Sequence, residues 1–279
     1  MKISGCVAFY NNAETVQKAI DSLRNQMPEL DEIVAIDDGS TDGGFSPVKQ
    51  TDLRVVRLEK NQGRGAARAR AMAETSGDFL LSVDGTKALA PGFLAAALSH
   101  MQDARVATVH GRNWQPKSQS AVERWRGRHL FKMKSRSGVR INAGLNTNGV
   151  LLRRDAIELV GGFDQARRHS EDADLGLRLT HAGFKVVYDP DLLVEECAPN
   201  NWRQIFERQW RYNVGLNDRF SFDSWFSFVR QAWAVMLPRD CKMRDWKCAL
   251  ASLLFPMALL VFWNSWATPR ARNLENTNR

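Results

Sequence analysis

The chain has 279 residues, of which 44% are hydrophobic and 25% charged, and its formal net charge at pH 7 is +8. These proportions are ordinary for a globular protein, and the length suits one large α/β domain with an appendage. The four cysteines have no metal-type spacing, which argues against a disulfide framework and for a reducing compartment. Met1 leads directly into a strand-like segment, so we expect no signal peptide and a cytoplasmic protein.

Strands and helices alternate through the first half of the sequence. Apolar runs of strand length are separated by segments with helical spacing of their apolar residues. Such alternation predicts βαβ units and a mainly parallel sheet flanked by helices. The predicted strands are 3–9, 32–36, 54–58, 78–83 and 106–109, and the predicted helices are 13–26, 63–76 and 93–101.

Residues 112–140 break this alternation. They contain nine Lys or Arg but a single acid, Glu123. We interpret the segment either as a solvated basic loop or as a patch beside the active site that holds a phosphate or a polyanionic acceptor. The sheet is predicted to resume at 149–152, and 185–188 is the last clear strand.

A cluster of carboxylates runs into an apolar helical pattern at Ser170–Leu179. Ser170 is a natural N-cap, and the helix dipole at that end favours ionised carboxylates. A lowered pKa is therefore expected for Asp172. Gly183 follows the pattern and is expected to end the helix.

Two further carboxylate groups stand directly after predicted strands. Asp37 and Asp38 follow the second strand, and Asp84 follows the fourth. An open α/β sheet binds its ligands at the carboxyl ends of its strands. Helix-start chemistry alone would explain an isolated acidic turn, but these upstream carboxylates favour a functional site.

Four motifs occur in a characteristic order, namely Asp37–Asp42, Gly63–Arg68, Gly161–Asp164, and Glu171–Asp172 with Arg178. Each motif alone is weak. As an ordered set they resemble the inverting family-2 glycosyltransferases of the GT-A fold, over about residues 1 to 215. The resemblance implies a Rossmann-like α/β domain that transfers a sugar from a nucleotide-sugar donor, most commonly a UDP-sugar, in polysaccharide biosynthesis.

The resemblance also implies roles for individual residues. Asp172 is the expected general base that accepts the acceptor hydroxyl proton, with Glu171 as the runner-up. Gly63 and Gly65 would let the backbone approach the donor closely, with open amides at the helix start favouring an anion. The remaining donor-binding residues are assigned as Asn11, Asp37, Asp38, Arg68, Asp84 and Lys87.

The family's metal motif is altered in this chain. Members usually carry Asp-x-Asp after the fourth strand, but here Asp84 is followed by Thr86 in the second acidic place and then by Lys87. Glu196 stands where a His commonly follows the last strand. Either Asp84 and Glu196 bind Mn²⁺ or Mg²⁺ in an altered site, or Lys87 replaces the metal, or catalysis is lost. Since one Lys supplies a single charge against a diphosphate, we favour a retained metal.

The acceptor is expected to be a saccharide or a lipid-linked sugar. Asn148, Trp210 and Arg211 are assigned to its binding site. Processive members place Gln-x-x-Arg-Trp where this chain has residues 208–212, but here Arg208 replaces the Gln and Tyr212 the Trp. We therefore expect a non-processive enzyme.

The C-terminal part is basic and rich in tryptophan, with 12 Lys or Arg, 6 Asp or Glu and seven Trp from residue 200 onward. Cys248–Trp263 carries no charge, but Pro256 interrupts it, so a clean membrane span is not expected. We weigh two interpretations equally: a re-entrant or interfacial helix pair on an anionic membrane, and an apolar helix packed on its own domain or a twin subunit. The apolar run argues against nucleic acid.

The predicted organisation is a glycosyltransferase domain at 1–220, an aromatic and basic helical extension at 221–270 and a disordered tail at 271–279. The protein is expected to be peripheral at the inner face of the cell membrane. The alternative is a catalytically silent partner subunit that binds a nucleotide-sugar, which the altered metal motif favours and the intact Glu171–Asp172 pair opposes.

Overall fold

A computed structural model describes residues 1–43, 53–115, 120–131, 138–217 and 222–267. The described residues fall into two compact units, one within Met1–Pro116 and Met133–Ala198, the other within Lys117–Lys132 and Pro199–Arg279. The chain thus passes into the second unit at Lys117, returns to the first at Met133 and passes into the second again at Pro199. The expected tail, 271–279, lies outside the described residues.

Nine strands and ten α-helices are formed by the described part of the chain. In order they are β1 Ile3–Phe9, α1 Val16–Arg24, β2 Glu32–Asp37, β3 Leu53–Arg57, α2 Arg64–Glu74, β4 Phe79–Asp84, β5 Lys87–Leu89, α3 Phe93–His100, β6 Val106–Trp114, α4 Ala121–His129, β7 Arg140–Ile141, β8 Gly149–Arg153, α5 Arg154–Leu159, α6 Glu171–His181, β9 Lys185–Glu196, α7 Trp202–Asn217, α8 Phe222–Gln231, α9 Leu237–Lys242 and α10 Trp246–Ala267. A π-helical segment, Ala232–Met236, joins α8 to α9.

The first unit is built on one sheet in the order β3-β2-β1-β4-β8-β6-β9-β5, with β7 paired to β9. The four strands from β3 to β4 are parallel, and so are β6 and β9. Strand β8 runs antiparallel to β4 and β6, and β5 and β7 run antiparallel to β9. The sheet is therefore mixed, with parallel pairing concentrated in the half that the sequence pattern describes best.

Both faces of this sheet are covered by helices. Helices α1 and α3 pack on one face through residues such as Ile20 and Leu94, and α2, α5 and α6 pack on the other through residues such as Ala71 and Leu179. Strands buried on both faces have near-continuous apolar sequences, which is why their positions could be predicted. Parallel pairing aligns the carboxyl ends of β1, β2 and β4, because Ala8 is opposite Asp84 and Phe9 is opposite Asp37.

The second unit is organised around Trp125 of α4, which has no exposed surface. Its ring packs edge-on against Phe206 of α7 and is tilted against Phe255 of α10. Its indole Nε1 donates to Ser252 Oγ at 2.7 Å, and that hydroxyl donates to Asp240 Oδ2 at 2.6 Å. This chain of hydrogen bonds satisfies the polar atoms that the aromatic core buries.

The basic segment of the sequence is a helix and not a solvated loop where the structure describes it, at residues 120–131. Ser120 and Glu123 form a reciprocal capping box at the start of α4. Arg124 donates to Asp245 at 2.9 Å, and Arg128 pairs with both Asp245 and Asp240. These guanidinium groups are held by carboxylates of the same unit, so the interpretation of this helix as a phosphate-binding patch is not supported. Residues 116–119 and 132–137 lie outside the described residues.

Helix α10 continues through Pro256, so the predicted interruption is wrong. Phe255 and Leu259 are fully buried on either side of the proline. Their packing offsets the backbone hydrogen bond that proline cannot donate. None of the helices in the described ranges combines the length and the apolar character that a membrane crossing requires.

Candidate active site

Arg68 joins three elements at the carboxyl ends of the strands. It projects from α2 and is only 3% exposed. Its Nη2 lies 2.6 Å from Asp84 Oδ1 at the end of β4, and its Nη1 bonds Glu171 Oε1 at the start of α6. One buried guanidinium thus compensates two carboxylates from opposite halves of the first unit. Arg68 was assigned to a donor phosphate, but the structure places it inside an ion network.

The two neighbouring acids of α6 occupy different surroundings. Glu171 is 1% exposed and turned towards Arg68, whereas Asp172 is half-buried and accepts the backbone amide of Ala173 at 2.9 Å. Burial raises the pKa of Asp172 and the charge of Glu171 raises it further, against the opposing effect of Arg68. The expected lowering of this pKa is therefore wrong, because desolvation outweighs the helix dipole.

The start of α6 also departs from simple capping. Ser170 stands at the N-cap position in a left-handed conformation with φ of 59°, and its side chain makes no capping hydrogen bond. Arg178, in the last turn of α6, donates to the carbonyl oxygen of Gly162 at 2.8 Å and to Asp174 at 2.8 Å. The Gly161–Asp164 turn is thereby fixed to the helix that carries Asp172.

The predicted donor-binding turn after β2 is held together by its own side chains. Asp37 accepts the amide of Ser40 at 2.8 Å, and Asn11 Oδ1 accepts the amide of Thr41 at 2.8 Å. Asp38 accepts the amides of Gln62 and Gly63, at 2.8 and 2.9 Å. Burial raises the pKa of Asp38 in this setting. Asp37 and Asp38 are about 5% and 4% exposed, so their main visible role is to shape the turn.

The anion cradle predicted at the start of α2 is closed. The amide of Gly65 donates to the carbonyl oxygen of Arg167 at 3.1 Å, and Gly63 gives its amide to Asp38. A Cβ on Gly65 would lie 2.2 Å from the carbonyl oxygen of Asp164. These glycines therefore allow the segment before α6 to dock on α2, and their amides are not open to a phosphate.

The residues assigned to a metal ion are each paired with a cation of the chain. Asp84 pairs with Arg68, which it shares with Glu171. Glu196 faces Lys87 directly across the β5–β9 pairing and bonds its Nζ, and both side chains are almost fully buried, with 0% and 4% exposed. Within the described residues no group of three or more His, Cys, Asp or Glu is placed to hold a metal ion. Each candidate ligand thus already has a cation as its partner.

The side chains of Lys87 and Glu196 lie on the side of strands β5 and β9 that faces β8. Leu89 and Val194 are the next pair along the same face, and both would contact a Cβ on Gly149, the first residue of β8. Asn148, directly before it, accepts the amide of Asp84 on its carbonyl oxygen at 3.2 Å. The ion pair is therefore close to the carboxyl end of β4. Because Lys87 and Glu196 are 109 positions apart, their pairing could not be predicted from the sequence.

The acceptor assignments divide between the two units. Asn148 Nδ2 donates to Asn113 Oδ1 at 3.2 Å, a partner at the end of β6 that the sequence did not single out. The side chains of Trp210 and Arg211, in α7, lie outside the described residues. His110, also in β6, is 4% exposed with its ring 5.3 Å from that of Tyr188, and burial lowers its pKa to about 4. Sequence analysis did not single out this histidine, which directly follows the predicted strand 106–109.

A family model described as Glycosyl transferase family 2 matches residues 4–161. Among curated proteins, the glycosyltransferase AglE of Haloferax volcanii is 25% identical, over 94% of this chain and 91% of its own length. The pre-mycofactocin glycosyltransferase of Mycobacterium tuberculosis is 28% identical over 66% of this chain, which spans 40% of that protein.

Solved structures confirm the predicted fold. The mannosyltransferase PcManGT from Pyrobaculum calidifontis, in complex with GDP-Man and Mn²⁺, superposes with a TM-score of 0.59 at 18% identity, covering 99% of this chain and 79% of the other. Residues 1–349 of S. aureus TarS superpose with a TM-score of 0.55 at 18% identity, covering 77% of this chain and 66% of the other. At these identities the likeness establishes the fold alone.

Proposed function

This chain belongs to glycosyl transferase family 2 and is a glycosyltransferase, and from that membership we propose that it inverts the sugar's anomeric configuration with Asp172 as general base. The observation that carries the proposal is the Arg68 network. Arg68 engages the neighbouring Glu171, while Arg167 and Arg178 engage Asp174. The half-buried Asp172 forms no ion pair within the described residues. The acceptor is proposed to be a saccharide or a lipid-linked sugar.

The donor is proposed to be a UDP-sugar. TarS has been crystallised with UDP and with UDP-GlcNAc, and PcManGT with GDP-Man, so relatives of this fold accept more than one nucleotide. In this chain the turn formed by Asn11 and Asp37–Asp42 is the proposed nucleotide-contacting surface, since it stands at the carboxyl ends of adjacent parallel strands.

In the proposed reaction the acceptor hydroxyl oxygen attacks the anomeric carbon from the face opposite the diphosphate. A new C–O bond forms, the bond between that carbon and the diphosphate oxygen breaks, and the hydroxyl proton passes to Asp172. Burial and the charge of Glu171 raise the pKa of Asp172, which makes its carboxylate a stronger base.

The departing diphosphate needs positive charge. We assign part of this role to Lys87, which follows β4 closely in sequence; because Glu196 already pairs with its ammonium group, the positive charge left for the diphosphate is reduced. No step is assigned to a metal ion, because Asp84 and Glu196 are each compensated by a cation of the chain. In this scheme Arg68 is a positioning residue, because it holds Asp84 in place.

The test is transfer from a labelled UDP-sugar to a panel of saccharide and lipid-linked acceptors, with UDP release and product configuration as readouts. Asp172→Asn is expected to bind UDP normally and to lose about 10²-fold or more of its turnover, the range of general base catalysis. Asp155→Asn is the matched control, since Asp155 is an exposed acid at the start of α5. Most of the turnover surviving in Asp172→Asn would show that the base is another group.

The altered metal motif supports a second candidate, a catalytically silent partner subunit that binds a nucleotide-sugar. Calorimetric titration with UDP, read together with the transfer assay, separates the active enzyme from the silent subunit. Binding without any transfer by the wild-type chain, across the whole acceptor panel, would favour the silent subunit.

A further inference from the structure

Helix α10 has two apolar sides, and only one of them is buried. Cys248, Ser252, Phe255 and Leu259 face the core of the second unit. On the opposite side a stripe about 100° wide is open to solvent. Each of its residues lies three or four positions from another member of the stripe. Its members and their exposed fractions are Trp246 68%, Leu250 57%, Leu253 44%, Leu254 50%, Met257 53% and Val261 63%.

Helix α8 and the π-helical segment that follows it add further exposed aromatic and aliphatic side chains beside this stripe. Trp233, 47% exposed, donates its indole Nε1 to the carbonyl oxygen of Leu253 at 3.1 Å, and Trp225 donates to that of Pro256 at 3.0 Å. The polar atoms of both indoles are satisfied by α10 while part of each ring stays accessible. Phe226 and Val235, 60% and 58% exposed, lie on the same helical segment. We call these residues and the α10 stripe the apolar face.

One end of the apolar face is ringed by cations. Four exposed basic residues lie in α9, the following turn and the first turn of α10, namely Arg239, Lys242, Arg244 and Lys247. The acids of the same segment do not offset them. Asp240 has no exposed surface, and Asp245 is bonded to Arg124 and Arg128 of α4. The surface presented to a partner is therefore positive. We call these four cations the basic rim.

We propose that the apolar face and the basic rim bind the surface of a lipid bilayer that contains anionic lipids, with α10 lying in the plane of the interface. Tryptophan and aliphatic side chains suit the boundary between headgroups and acyl chains, and the cations suit anionic headgroups. The other side of α10 is packed in the protein core, so the helix enters the bilayer by one side only.

Charge complementarity is what selects this occupant. A second copy of the chain would bring another set of four exposed cations to the contact, without exposed acids in the 237–247 segment to meet them. A nucleic acid would gain nothing from an apolar stripe of six large side chains. Anionic lipid satisfies both parts of the surface, and this inference stands apart from the proposed reaction.

The test is co-sedimentation of the full chain with vesicles of phosphatidylcholine alone and of phosphatidylcholine with phosphatidylserine. Binding is expected for the anionic vesicles and is expected to weaken as salt is raised. Leu250→Glu with Leu254→Glu should reduce the partition coefficient about tenfold or more, because two exposed apolar side chains that would enter the bilayer become charged. Lys242→Glu with Lys247→Glu should abolish the preference for anionic vesicles.

Leu159→Glu is the matched control, since Leu159 is 75% exposed on α5 of the first unit and should leave binding unchanged. Thermal unfolding of each variant checks that the fold is retained, as all replaced side chains are exposed. Light scattering gives the oligomeric state in parallel. Failure of the wild-type chain to sediment with anionic vesicles would overturn the proposal, and so would a dimer that the Leu250 and Leu254 changes dissociate without any effect of lipid.

Discussion

Replacing Arg68 by Met is expected to destabilise the first unit strongly. The side chains of Arg68 and Glu171 are 4% and 2% exposed, and that of Asp84 is 16% exposed. Removing one partner of a buried ion pair costs about 3–5 kcal/mol, because the remaining charge is left without compensation. Since Asp84 retains some contact with water, most of this cost is expected to come from Glu171. A loss of this size is a large fraction of the roughly 5–15 kcal/mol that stabilises a typical protein.

A second substitution separates charge from packing. Glu171→Gln added to Arg68→Met removes the orphaned charge and is expected to recover about 2 kcal/mol, within the usual range of coupling between contacting residues.

The assay is urea unfolding followed by far-UV circular dichroism, with the slopes compared to check that the transitions expose similar surface. Arg70→Met is the matched control on the same helix. Arg70 pairs with Glu74 at 2.6 Å but is 48% exposed, so its removal should cost only about 0–1 kcal/mol. Equal effects of the Arg68 and Arg70 changes, or no recovery on adding Glu171→Gln, would refute the idea that a buried network organises the site.

Three further predictions concern pH, packing and metal. Burial lowers the pKa of His110 from 6.5 to about 4. As the pH falls through that window the unfolded chain takes up a proton and the folded chain does not, so the free energy of unfolding should fall by about 3 kcal/mol. His110→Leu should flatten this pH profile, as measured by urea unfolding. Gly65→Ala places a Cβ 2.2 Å from a carbonyl oxygen and should cost about 1–3 kcal/mol, whereas Gly144→Ala, with nothing within 4 Å of its Cβ, should be near neutral. Calorimetry should show equal UDP affinity in Mn²⁺ and in EDTA; affinity that requires Mn²⁺ would restore the metal site.

Local sequence signals located the elements that are buried on both faces. The predicted strands at 3–9, 32–36 and 78–83 agree with β1, β2 and β4 to within one residue at each end. Gly183 ends α6 as expected: its amide bonds the carbonyl oxygen of Thr180 at 3.1 Å, and that of Phe184 bonds Leu179 at 3.0 Å. These hydrogen bonds form a Schellman motif, which depends on nearby residues alone and is therefore readable from sequence.

Pairings between distant residues could not be predicted in this way. Helix α4 has few apolar residues, and the partners that give it a structure, Asp240, Asp245 and Ser252, follow it by more than a hundred residues. The same limit applies to Lys87 and Glu196, whose contact depends on strand register. The strand ends that carry Asp37 and Asp84 could be placed together from the sequence, but which charges pair with each other is decided by the tertiary structure.

This neutralisation is what distinguishes Asp172 from the other acids of the site. Arg68 compensates Asp84 and Glu171, and Lys87 compensates Glu196. Asp172 is placed next to the network without being bonded to a cation in the described part of the chain, and burial raises its pKa while Glu171 adds to the shift. Acids whose surroundings differ in this way are suited to different tasks, one to hold the site and the other to move a proton. Under the proposed mechanism Glu171 would hold the site and Asp172 would accept the proton, because Arg68 bonds only the first of these neighbouring acids.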